Sequence, residues 1–75
     1  MKLFVSDFGE SLDIADLAAL FGRYGRVTAL RILQGQKRTY ALVDIDSDIA
    51  GQRAIQDLNG KKHAGQWLQV KESWW

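Results

Sequence analysis

Hydrophobic residues recur in this chain at two spacings, and the order of those spacings leaves few folds open. Lys2-Leu3-Phe4-Val5-Ser6 alternates around β-formers and stops at Asp7, the pattern of a strand with one buried face. Ile14, Leu17, Leu20, Phe21 and Tyr24 then recur at helical spacing. Asp13 stands at the N-cap with Asp16 in the capping-box position, and Gly25 marks the expected stop. Residues 27–33 and 38–45 are two further β-rich runs. The turn Gln34-Gly35-Gln36-Lys37 between them is short enough to require a hairpin. Ser47 or Asp48 caps a second helix with the apolar stripe Ala50, Ala54, Ile55 and Leu58, closed by Asn59-Gly60. Gly51 inside this helix costs about 1 kcal/mol relative to Ala. Residues 61–65 read as loop and residues 67–72 as a last strand.

A strand–helix–strand–strand–helix–strand order folds, through right-handed crossovers, into a four-stranded antiparallel sheet with both helices on one face. The expectation is an α+β, ferredoxin-like βαββαβ sandwich occupying residues 1–75 as a single domain. So short a chain buries only about 60% of its unfolded surface, so its core has to be tightly patterned.

Composition removes most chemistry. There is no cysteine, which excludes disulfide scaffolds, thiolate metal sites and cysteine nucleophiles together. His63 is the one histidine and lies beside Lys61 and Lys62, a solvated setting. Asp44-Ile45-Asp46-Ser47-Asp48 imitates the start of a calcium loop, but Ile49 and Ile55 stand where that loop needs Gly and Glu. No glycine-rich phosphate loop, paired catalytic carboxylates or base-and-nucleophile pair is present, so no enzyme, cofactor or metal is expected. No run approaches the roughly 18 apolar residues of a membrane span, and the stretch after Lys2 ends too soon for a signal peptide. The expected setting is cytoplasmic, or nuclear in a eukaryote.

Ten Lys and Arg against nine Asp and Glu leave a net charge of only +1. With helices on one face, Leu3, Val5, Leu30, Ile32, Ala41, Val43, Ile45, Leu68 and Val70 point to the core. Alternation sends Phe4, Tyr40, Leu42, Trp67, Gln69 and Lys71 to the open face, with Ala29, Arg31 and Leu33 from the second strand. Its charges are Lys2, Arg31, Arg38 and Lys71 against Asp44, so a nearly neutral chain sorts its cations. Rings stack bases and cations meet phosphates, which is what single-stranded nucleic acid requires.

At these residues the chain resembles the RNA-recognition motif family. Residues 37–45, from Lys37 to Ile45, resemble its ribonucleoprotein octamer, with Arg38 in the first place. Leu3-Phe4-Val5-Ser6-Asp7-Phe8 is similar to its hexamer. Residues 17–27 are similar to its helix-to-strand join, and Ala54–Gly60 with Trp67–Val70 to its C-terminal half. The resemblance implies single-stranded RNA as ligand, with single-stranded DNA as an alternative, bound by a monomer without catalysis. It makes Phe4 and Tyr40 the stacking rings and Arg38 the phosphate or guanidinium contact. Lys2, Arg31 and Lys71 add charge, and Gln69 reads base edges. Three positions depart from the family pattern: Leu42 replaces a second octamer ring, Thr39 a Gly, and Asp7 the hexamer's Asn. They imply modest affinity.

Two readings stand beside this one. Phe4 and Tyr40 also suit cross-strand packing, which contributes about 0.2–1 kcal/mol. Leu42, Leu33, Trp67 and the pair Trp74 and Trp75 suit a protein-interaction module of the same fold, or a C-terminal segment that covers the sheet.

Overall fold

The computed structural model describes residues 1–8, 12–36, 38–63 and 65–73. The elements are β1 (Lys2–Ser6), α1 (Ile14–Gly22), β2 (Val27–Gln34), β3 (Thr39–Ile45), α2 (Asp48–Leu58), β4 (Lys62–His63), β5 (Gln66–Trp67) and β6 (Gln69–Glu72). One antiparallel sheet runs β2-β3-β1-β6, and β4 pairs with β5 in a separate hairpin. The ferredoxin-like βαββαβ sandwich is present, with β6 as its fourth strand. The first and third strands lie at its centre. Lys37, Trp74 and Trp75 lie outside the described residues, and with them the proposed role of the tryptophan pair.

Strand alternation sorts the side chains as the apolar pattern requires. Leu3, Val5, Ala41, Val43, Ile45 and Val70 are buried and share one core with Leu17, Leu20 and Phe21 of α1 and Ala50, Ala54 and Leu58 of α2. Ile14 begins the helical pattern but stays exposed at the first position of α1. The α1 N-terminus is a complete capping box: Asp16 N–H donates to Asp13 Oδ1 at 2.9 Å, and Asp13 N–H donates to Asp16 Oδ2 at 3.1 Å. At α2, Ser47 is the cap, its Oγ accepting from Ala50 N–H at 3.2 Å, while Asp48 is the first helical residue. The other end closes at Asn59, followed by Gly60 at φ +75°, a conformation that favours glycine.

Two expectations are corrected. Gly25 does not end α1: the helix stops at Gly22, Arg23 is the C-cap in the right-handed region, and Tyr24 N–H donates to Phe21 O at 3.0 Å. The glycine is needed for close approach instead. A Cβ at Gly25 would stand 2.7 Å from Ala50 Cβ and 3.1 Å from Ile45 Cγ2. Gly51 has a matching reason, since a Cβ there would collide with the Met1 side chain.

The second correction concerns residues 61–72. The segment read as loop contains β4, and the run read as one strand breaks at Leu68. Gly60 N–H donates to Leu68 O at 2.8 Å and Leu68 N–H to Lys61 O at 3.0 Å, so Leu68 bonds back across the hairpin. Trp67 therefore pairs with Lys62 outside the four-stranded sheet and is not part of its open face. It is 61% exposed.

Tyr24 joins the two helices at the end of α1. Burial, then the Asp57 carboxylate and a hydrogen bond to it, raise the Tyr24 hydroxyl pKa above its ordinary value, against a smaller opposing effect of Arg23. No helix among the described residues is long and apolar enough to cross a membrane.

Candidate nucleic-acid interface

Strand register arranges the open face in rows. Arg31 of β2 is opposite Leu42 of β3, Leu42 opposite Phe4 of β1, and Phe4 opposite Lys71 of β6. The next row is Leu33, Tyr40, Ser6 and Gln69. Asp44 stands between Ala29 and Lys2 in a third. Lys2, Phe4, Arg31, Tyr40, Leu42, Gln69 and Lys71 thus share one face of the sheet, while Arg38 precedes β3 and Trp67 lies in the separate hairpin.

The two rings are diagonal neighbours across the central strands. Their centroids are 5.2 Å apart and their planes inclined by 38°, a tilted pair. That spacing lies within the range of favourable ring contacts, so cross-strand packing operates here. It leaves both rings half-buried with one side on the open face. Lys71 Nζ lies over the Phe4 ring, 5.5 Å from its centroid. Leu42 fills the remaining place in that row and offers bulk without a π face.

The charge differs from the expected sorting at one corner. Arg38 Nη1 lies 3.7 Å from Asp7 Oδ1, so a second carboxylate joins Asp44 against the four cations. Asp7 has φ +65°, a left-handed conformation that Asp and Asn tolerate better than most side chains. Its neighbour Phe8 is fully buried and anchors that backbone. Beside the pair a cleft of about 350 Å³ opens between the ends of β1, β3 and β6, lined by Ser6, Asp7, Arg38, Asn59, Gln69 and Lys71, among others. In the sequence pattern Asn59 stands only as a helix cap. Its Oδ1 also accepts from Val70 N–H at 3.0 Å, tying α2 to β6, a long-range contact with no local sequence signal.

The model of the family described as RNA recognition motif matches residues 3–69. The chain belongs to the RNA recognition motif family. Among solved structures, this RNA recognition motif is similar to the RNA binding protein PG1, with a TM-score of 0.87 and 27% identity over 97% of this chain and 93% of that one. It is also similar to Sex-lethal RNA recognition domains 1 and 2 from Drosophila melanogaster, with a TM-score of 0.84 and 32% identity. That match covers 96% of this chain and 48% of the other, so the motif spans about half of the two-domain protein. A Sex-lethal protein/RNA complex matches with a TM-score of 0.85, 32% identity and coverage of 96% and 46%. In this family frame the octamer-like and hexamer-like segments are β3 and β1, side by side at the centre of the sheet.

Proposed function

We propose that this RNA recognition motif binds single-stranded RNA across the open sheet face, as a monomer and without catalysis. The observation that carries the reading is the ring pair, Phe4 and Tyr40, set 5.2 Å apart on the two central strands. Every base has a π face, so such a platform accepts successive bases whatever their identity. Arg31 and Lys71 end the Phe4 row on either side and serve as phosphate contacts, together with Lys2. Arg38 supplies a guanidinium at the cleft, and Gln69 reads base edges. The RNA complex formed by the 32%-identical Sex-lethal relative supports the choice of RNA. With two rings and few cations among the described residues of this face, affinity is modest.

Titration with mixed-sequence single-stranded RNA, followed by amide NMR shifts, tests this. Saturable shifts clustered on β1 and β3 are the expected result; no shifts at millimolar RNA overturn it. The second reading, a protein-interaction surface, draws on exposed Trp67 and on Leu33, which is 40% exposed beside Tyr40. Broadening that grows with protein concentration around Leu42 and Trp67, without any response to RNA, would favour it.

A further inference from the structure

The cleft beside Asp7 has a hydrogen-bonding pattern that a plain stacking platform does not need. A carboxylate accepts hydrogen bonds at both oxygens and donates none, whereas a guanidinium only donates. Asp7 and Arg38 place these two groups side by side, 3.7 Å apart, at the mouth of a cleft of about 350 Å³. Asp7 is carried on the anchored left-handed backbone between β1 and buried Phe8, so the acceptor stands at a defined place. The cleft opens next to the Tyr40 row, because Ser6 is at once the register partner of Tyr40 and Gln69 and part of the cleft wall. Asn59 Oδ1, on the same cleft wall, already accepts from Val70 N–H, so the carboxylate of Asp7 is the stronger acceptor there.

The Watson–Crick edges of the four bases meet this pair differently. Guanine presents two adjacent donors, N1–H and the N2 amine, followed by the O6 acceptor. Cytosine and adenine each present one amine donor beside a ring acceptor. Uracil flanks its single N3–H donor with two carbonyl oxygens, which a carboxylate repels. Two adjacent acceptors next to a donor complement guanine alone.

We propose that Asp7 and Arg38 read a guanine edge in this cleft, the carboxylate accepting from N1–H and N2–H and the guanidinium donating to O6. The proposal rests on the RNA-binding reading and adds base selectivity to it. It turns Asp7, the departure from the hexamer's Asn, into the specificity-determining residue. An Asn at this place offers one acceptor and one donor and does not fit the guanine edge.

Five labelled heptauridylates carrying guanosine, inosine, adenosine, cytidine or uridine at the centre, measured by fluorescence anisotropy, test it. A guanosine preference over uridine of roughly tenfold is expected, within what a bidentate base contact supplies. Inosine lacks the N2 amine and should lose several-fold against guanosine, a comparison that needs no protein variant. In Asp7→Asn, whose side chain tolerates φ +65°, the guanosine–inosine difference should shrink to within about twofold. Inosine binding as tightly as guanosine, or cytidine or adenosine binding more tightly, overturns the proposal. Equal binding of all five removes the guanine assignment and leaves RNA binding standing. Binding of none removes the RNA reading and this one with it.

Discussion

Lys71 holds its ammonium over the ring of Phe4, 5.5 Å from the centroid, across the β1–β6 register. At a solvent-exposed site such a contact contributes about 0.5–1 kcal/mol. On the proposed RNA-binding reading, a base stacking on Phe4 would exchange one π contact for another and free Lys71 for a phosphate. The Tyr40 ring has the tilted Phe4 contact and, among the described residues, no cation over it.

Ring truncation should therefore weaken RNA binding at both positions, by about 1–3 kcal/mol at Tyr40 and nearer the lower end at Phe4. Neither ring lies in the buried core, so Phe4→Ala and Tyr40→Ala should still fold cooperatively. Anisotropy titrations alongside thermal unfolding measure both quantities. Unchanged affinity in a folded double variant removes the stacking role.

Salt should weaken binding with a slope of roughly two to four in log K against log salt, the number of phosphates this face can touch. Arg31→Ala and Lys71→Ala should each lower that slope by roughly one. Arg38→Ala should lower it less, because the Asp7 carboxylate already stands beside that guanidinium. A salt-independent interaction would point to a protein ligand on the same face.

The glycines at positions 22 and 25 should respond to alanine in opposite senses. A Cβ at Gly22 meets nothing within 4 Å at the end of α1, so Gly22→Ala should stabilise by about 0.5–1 kcal/mol. At Gly25 it would stand 2.7 Å from Ala50 Cβ, so Gly25→Ala should cost about 1–3 kcal/mol through overpacking. Urea unfolding at constant m-value reads both.

Alkaline pH should expose the Tyr24–Asp57 contact. Burial and the neighbouring carboxylate raise the folded-state pKa of Tyr24 above its unfolded value near 10. The protonated hydroxyl is thus favoured by folding. Its stabilisation is complete below pH 10 and is lost as pH rises through the higher folded value. Tyr24→Phe should flatten the decline in melting temperature above pH 10. An identical alkaline profile in the variant would show that the contact carries no such linkage.

Local pattern and tertiary structure divide this protein along a physical line. Helix caps, strand alternation and the inward or outward sense of Phe4, Tyr40, Leu42, Arg31 and Lys71 were legible, because each depends on a spacing of two to four residues along one chain segment. Three features were not. Gly25 looked like a helix stop, yet its requirement comes from Ala50 on the other helix. Trp67 looked like part of the last strand, yet Leu68 bonds to Gly60 and Lys61 and splits that strand before it joins the sheet. Asp7 looked like an isolated change of charge, yet the fold brings it to Arg38, thirty-one positions along the chain, and opens a cleft beside them. Periodicity decides which way a side chain points. Which distant residue it meets is decided only when the strands pair and the helices close over them, since long-range contacts depend on the packed geometry of every element at once.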